Sequence, residues 1–320
     1  MTSQHRRETS VVIAIAALAG VLLVTNPAYF SAENLTDLLM ANVAVLAAAL
    51  GATLVIIAGE IDISIGSVFA ICSTLAGVAA VSGWPLAAVA VVACAIGAGL
   101  GAINGALVAF VGIPSIVVTL ATMIGLRDGL RWATQGAWIE NLPANFQWFG
   151  LTQSAFPFAA GVILALVVAF MLWMMQRTSA GRAIYATGSN AEAARLIGID
   201  PRAVKCAVFI AAGLLTGLGA LLNAVRFNQI PSNGGIGLEL KAIAAVVVGG
   251  AAVTGGRGTI AGTLLGVVLL GAIGPALTFM GASAYWERAI HGAIILSAVF
   301  ADAVRLRHAR EAAPLAAKRA

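Results

Sequence analysis

Charge is what this chain has least of. Only 10% of its 320 residues are Asp, Glu, Lys or Arg, while 61% are hydrophobic and the mean hydropathy is +0.99. Soluble domains carry about 25% charged residues. The shortage excludes an ordinary soluble protein, because so much apolar surface has no polar shell to hide behind, and lipid becomes the solvent for most of the chain. Cysteine is scarce as well. Cys72, Cys94 and Cys206 lie in or beside apolar runs without metal-like spacing, which excludes a disulfide framework and a zinc site. Lysine occurs only at Lys205, Lys241 and Lys318, never in G-x-x-x-x-G-K-[ST], so the chain has no phosphate loop and cannot hydrolyse ATP alone. The cysteines and few histidines form no nucleophile–base pair, which argues against an intramembrane enzyme.

What is present is a series of apolar runs. They cover roughly Val11–Thr25, Leu38–Ala58, Ser64–Val81, Pro85–Phe110, Ile113–Leu126, Phe156–Met175, Cys206–Val225, Ala242–Val253, Thr259–Met280 and Tyr285–Val304. The expectation is an all-α integral membrane protein of about ten transmembrane helices, one domain over 1–320. The fifth and eighth runs are too short to cross ~30 Å of hydrocarbon as straight helices. Short spans in both halves suit a transporter built from two repeats. The first run follows MTSQHRRETS like the core of a signal peptide, but NPAYFSAEN offers no small-x-small cleavage site, so it reads as an uncleaved span.

Cations orient the chain. With ten spans and the N-terminus inside, the cytoplasmic segments hold Arg6, Arg7, the five cations of 176–205, Arg257 and the tail cations Arg305, Arg307, Arg310, Lys318 and Arg319. Only Arg127, Arg131, Arg226, Lys241 and Arg288 fall outside. This is the bias of the positive-inside rule, with both termini cytoplasmic. It accounts for the basic pI without nucleic acid.

The segment Gln176–Lys205 is a polar island carrying Arg177, Arg182, Arg195, Arg202 and Lys205. A short helix is legible inside it. Ser189 reads as N-cap and Glu192 completes a capping box. Ala191, Ala193, Ala194, Leu196 and Ile197 propagate the helix, Gly198 closes it and Pro201 forbids its resumption. About two turns are too few to stand alone, so this helix must dock on something.

Glycines recur at helical spacing: Gly97, Gly101 and Gly105 form one ladder, Gly258, Gly262 and Gly266 another, and Gly213 with Gly217 a shorter one. Such ladders bring membrane helices together. GAINGALV at Gly101 resembles GTIAGTLL at Gly258, which suggests two weakly similar halves; two independent glycine-rich helices are the alternative.

Three stretches carry polar chemistry. In GEIDISIG, Glu60 and Asp62, with Ser64, either line a gate or pathway or sit in a tight cytoplasmic turn with Asp62 capping the next helix. VTGGRGTIAG at Val253–Gly262 is a glycine-rich turn that Arg257 anchors in the cytoplasm. The outer segment from Arg127 to Phe156 carries Trp132, Trp138, Phe146, Trp148 and Phe149, an interfacial belt or, alternatively, a surface for a partner or a sugar ring. His291, near Glu287 and Arg288, reads as part of a structural pair rather than a proton relay.

The run Glu192-Ala193-Ala194-Arg195-Leu196-Ile197-Gly198 resembles the E-A-A-x-x-x-G core by which permeases of bacterial ABC importers engage their ATPases. With GEIDISIGS at Gly59, GAINGALVAFVGIPSIVVTLATM at Gly101, GRAIYATGSNAEAARLIGI at Gly181 and GGAAVTGGRGTIAGTLLG at Gly249, the chain is similar to the permeases of the ribose, xylose, arabinose and rhamnose importers. AYWERAIHGAIIL adds a likeness to the rhamnose or autoinducer-2 branch. Two departures are Glu60, where family members often have glycine, and the absence of an I-x-L-P element after Gly198.

The resemblance implies an ABC importer permease fold in the bacterial inner membrane. It implies no cofactor on this chain, with ATP and Mg on a partner ATP-binding cassette subunit, a second permease chain, identical or different, and a periplasmic binding protein. Ser189 and Glu192 would hold the coupling helix. Ala194, Leu196 and Ile197 would enter a groove on the ATPase, and Arg195 and Arg202 would pair with acidic groups at its rim. The rivals are an ion-coupled secondary transporter and a branched-chain amino-acid permease.

Overall fold

A computed structural model of the chain describes residues 3–283, 285–287, 289–290, 292–294 and 296–297, with side chains from residue 8. The last expected span, Tyr285–Val304, therefore lies only partly within the described residues, and Arg288, His291 and the tail cations lie outside them. Eleven α-helices make up the described chain, with no strand beyond one isolated pairing of Ile139 with Ile230.

Among the described residues, six helices are long and apolar enough to cross a membrane. These are α1 (Ser3–Thr25), α2 (Ala32–Ile57), α4 (Leu86–Ala106, continued by a π-helical turn to Val111), α6 (Phe156–Arg177), α9 (Pro201–Ala224) and α11 (Ile260–Phe279). The others are α3 (Ile65–Val81), α5 (Ser115–Thr134), α7 (Ser179–Ser189), α8 (Ala191–Leu196) and α10 (Leu238–Val248). At ~1.5 Å per residue α10 is about 16 Å long, half a bilayer core. The expectation that the fifth run ends at Leu126 is corrected. α5 continues through Arg127, Asp128 and Arg131 to Thr134, where Gln135 at φ 52° closes it.

α2 is the axis of the fold. Of its apolar stretch 78% is buried, against 22% for α4 and for α6, and it touches α6, α7, α9, α10 and α11. α4 lies on α9 with almost no side chain between them. A Cβ on Gly97 would stand 2.2 Å from the Gly213 carbonyl oxygen, one on Gly101 2.2 Å from that of Phe209, and one on Gly105 3.0 Å from Cys206. The falling partner numbers make the pair antiparallel. In lipid, where apolar burial drives no association, this backbone contact is what holds two helices together.

α11 meets α10 in the same way, with Gly262 against the Gly249 carbonyl and Gly266 against that of Ala245. Gly258 is not part of that ladder. It lies in the turn before α11, which Thr259 caps by accepting from the Gly262 amide. The equation of Gly101 with Gly258 thus pairs a mid-helix residue with a turn residue.

Candidate functional site

The polar island folds as two short helices and the start of a third. Thr178 caps α7 through the Gly181 amide, and α7 buries Gly181, Ile184 and Thr187. The reading of Ser189 as N-cap is corrected: Ser189 is the last residue of α7. Asn190 caps α8, its Oδ1 accepting from the amides of Glu192 and Ala193 at 3.0 Å. No capping box from Ser189 to Glu192 forms, because the helix starts one residue later and Glu192 sits at its second position.

The far end of α8 is closed as its glycine requires. Gly198 has φ +83°, the Ile199 amide donates to the Ala194 carbonyl and the Gly198 amide to that of Arg195. These two bonds are a Schellman motif. Pro201 then opens α9 at its first position, with Asp200 as N-cap. Leu196 and Ile197 are left 89% and 73% exposed at the tip, with Arg195 and Glu192 beside them. Ala194, expected to face a partner, is 2% exposed and packs inward.

The base of this tip is a backbone junction. A Cβ on Gly188, near the end of α7, would clash with the Ile57 carbonyl at the end of α2 and stand 2.8 Å from the Gly256 nitrogen. The Gly256 amide donates to that same Ile57 carbonyl at 2.9 Å, and Gly255 packs on Gly59. Tyr185 of α7 donates its hydroxyl to the Gly258 carbonyl at 2.7 Å. Burial raises the Tyr185 phenol above its ordinary pKa, which keeps it a donor. Three sequence motifs, GEIDISIG, ATGS and TGGRG, thus touch at one point. Arg257 is exposed, and its carbonyl accepts from the Ala252 amide within the turn.

The three candidate gate residues separate. Glu60 pairs with Lys205 of α9 at 2.5 Å and lines a cleft of about 440 Å³ with Glu192, Arg195 and Arg202. Asp62 and Ser64 turn inward instead. Asp62 Oδ1 accepts from the Ser64 hydroxyl at 2.6 Å and from its amide at 2.8 Å, at the mouth of α3. Asn104 of α4, wholly buried, donates to Ser64 Oγ at 2.9 Å and accepts from Thr122 of α5 at 2.7 Å. The irregular stretch 60–64 is thereby tied to α4 and α5.

A second charged pair lies deeper. Arg127 of α5 approaches Glu239 of α10 at 3.7 Å, with Glu239 almost fully buried and packed on Gly66 of α3. Sequence windows place Arg127 in an outer loop and pass over Glu239 altogether. The one signal for Glu239 is its place in LELK, directly before a short apolar run. Among the outer aromatics Phe146 is fully buried and belongs to the core, not to a belt, whereas Trp132 and Trp138 are 85% and 52% exposed. No group of three or more His, Cys, Asp or Glu side chains able to hold a metal ion occurs among the described residues.

Residues 34–299 match the model of the family described as branched-chain amino acid transport system / permease component. The autoinducer 2 import system permease protein LsrC of Enterobacter sp. (strain 638) is 38% identical over 313 residues, 96% of this chain and 90% of the relative. Its namesake in Photorhabdus luminescens is 35% identical over 315 residues, 96% and 93% of the two chains. That of Yersinia pestis (strain Pestoides F) is 36% identical over 310 residues, 96% and 88%. No solved structure matches the chain significantly. The chain, with six membrane-length helices among its described residues and matched nearly end to end by import-system permeases, belongs to this family of transport-system permease components and is a transport subunit, not an enzyme.

Proposed function

We propose that the chain is a permease of an ATP-driven importer that carries a small sugar-like solute, of the autoinducer-2 kind, across a bacterial inner membrane. The observation that carries the coupling part is α8. Its apolar tip, Leu196 and Ile197, projects uncovered from a base in which Gly188 rests on the Ile57 carbonyl. An ATP-binding cassette subunit, holding ATP and Mg, receives that tip. Its strokes pass through α7 to the end of α2, the axis of the fold. A periplasmic binding protein delivers the solute, and a second permease chain completes the pathway.

In this reading α1 to α6, α9, α10, α11 and the segment from residue 285 are ten spans of one domain, with segment 176–205 and both termini cytoplasmic. Two related halves are supported by their interrupted helices, α3 after the irregular stretch 60–64 and α10 after the irregular stretch 225–237. The relatives at 35–38% identity favour autoinducer-2 over the amino acids of the family's description.

The test is recovery of the ATPase with the tagged chain from mildly solubilised membranes. Wild type brings the ATPase down and Leu196→Glu does not, with equal insertion of both. An inserted wild-type chain that recovers no ATPase would refute the coupling. Ion-coupled transport is the second reading, because the buried Arg127–Glu239 pair puts ionisable groups inside the bundle. It requires that a protonophore or sodium removal stop uptake while ATP depletion does not.

A further inference from the structure

The two interrupted helices begin in the interior and touch there. Gly66 in the first turn of α3 lies against Glu239 in the first turn of α10 and against the Gly235 carbonyl just before it. Beside this meeting point lies a cavity of about 310 Å³, at the small end of the ~300–1,000 Å³ usual for small-molecule sites. Phe69, Trp138 and Phe227 give it three aromatic walls, and Ser73, Asn223, Asn228 and Gln229 supply a hydroxyl and three carboxamides. No charged side chain lines it. A second cavity of about 360 Å³ shares the Trp138 wall and is lined by Arg127, Arg131, Ser232 and Asn233.

The neighbouring ion pair is incompletely bonded. Arg127 Nε and Nη2 and Glu239 Oε2 are buried without a hydrogen-bond partner, and 3.7 Å is too long for one between them. Buried polar atoms are nearly always paired; of the two residues Arg127 lines the second cavity, where its unpartnered nitrogens can donate to a polar guest, whereas Glu239 lines neither cavity. The cavities lie at the far end of the bundle from α8. Helix α9 runs from Pro201 beside α8 to Ala224 at the cavity, and its 24 residues span about 36 Å.

We propose that the two adjoining cavities form the outer solute site of this permease and take a small, uncharged, polyhydroxylated guest. The proposal rests on the permease reading above and adds where the solute sits and why it is of that class. Ring faces cover the C–H faces of a polyol, while the carboxamides both donate to and accept from its hydroxyls and the Ser73 hydroxyl, which donates to the Phe69 carbonyl, accepts. Arg127 can only donate, which suits a hydroxyl or carbonyl oxygen. An amino acid is disfavoured, because no carboxylate lines either cavity to receive its ammonium group.

The test uses the full complex in proteoliposomes with radiolabelled autoinducer-2, D-ribose and L-leucine. Wild type carries at least one of the first two and not leucine. Trp138→Ala raises the half-saturation concentration at least about tenfold and alters the ratio between autoinducer-2 and ribose, whereas Trp138→Phe stays within about threefold, both with full ATPase recovery. In a chain with Cys72, Cys94 and Cys206 replaced by alanine, the carried solute protects Asn223→Cys from an impermeant thiol reagent. Unchanged half-saturation in Trp138→Ala, or no protection of Asn223→Cys, overturns the site even where the other variant fails to insert. Preference for leucine, or a complex that recovers its ATPase yet carries none of the probes, overturns the solute class. A wild-type chain that recovers no ATPase is a separate result and refutes the permease reading itself.

Discussion

At the end that carries α8, the chain packs backbone on backbone: Gly188 on Ile57, Gly255 on Gly59, Gly256 on Ser189. At the other end, aromatic rings, carboxamides and Arg127, from an incompletely bonded ion pair, surround open cavities. At the first end the glycine junction itself has no slack, so a displacement of α7 must move α2, although a charged cleft of about 440 Å³ opens beside α8. The second has volume and unsatisfied polar atoms, so it can take in a guest. A transport subunit driven from one side and loaded from the other needs both properties, and here they sit about the length of α9 apart.

The strongest way to break this contrast is to strand one member of the Arg127–Glu239 pair. Removing one partner of a buried pair leaves the other charge uncompensated, at about 3–5 kcal/mol. Arg127→Met should therefore lower the detergent melting temperature sharply, and Glu239→Gln likewise. The double variant should recover much of the loss, because no naked charge remains. Additive losses in the double variant would show that the two side chains act independently.

Gly188→Ala tests the opposite end. The added methyl meets a backbone carbonyl that cannot rotate away, so an overpacking cost of about 1–3 kcal/mol is expected, with transport lost out of proportion to stability. Gly99 of α4 is the control. A Cβ there has nothing within 4 Å, so Gly99→Ala should be neutral or gain up to about 1 kcal/mol from helix propensity. Equal uptake by the two variants would remove the junction from the coupling path.

Asn104→Ala sharpens the comparison between them. It removes the donor to Ser64 and the acceptor for Thr122 in a fully buried setting. A loss of about 1–3 kcal/mol is expected, without effect on recovery of the ATPase, since the network touches neither α7 nor α8. Co-loss of the ATPase would mean that Asp62 and Ser64 also act on the α8 end, where Glu60 already lies.

The long spans were legible because ~20 apolar residues have one reading in lipid. Charges inside a helix were not. Arg127, Asp128 and Arg131 resemble a loop on paper, and only the partner Glu239, more than a hundred positions on, explains why Arg127 stays in α5. The polar segment 176–205 was legible from its cations, and the φ of +83° at Gly198 agrees with the helix-closing role read from the letters. The glycine junction was hidden, since Gly59, Gly188 and Gly255 are far apart in sequence and none falls in a helical ladder. Ser189 and Asn190 are both good caps, and local rules could not choose between them.

That last ambiguity gives the smallest and cleanest prediction. Asn190 holds two amides of the first turn of α8, and replacing such a cap by alanine costs about 0.5–2 kcal/mol. In a helix of six residues that cost is local. Asn190→Ala should fray α8 and show as faster amide exchange over 191–198, with partial loss of ATPase recovery and little change in the melting temperature of the bundle. Ser189→Ala replaces an exposed residue at the end of α7 whose side chain caps nothing, so exchange and recovery should match wild type. If instead Ser189→Ala frays the helix and Asn190→Ala does not, α8 starts a residue earlier than described, and the tip bearing Leu196 and Ile197 is turned by ~100° about its axis.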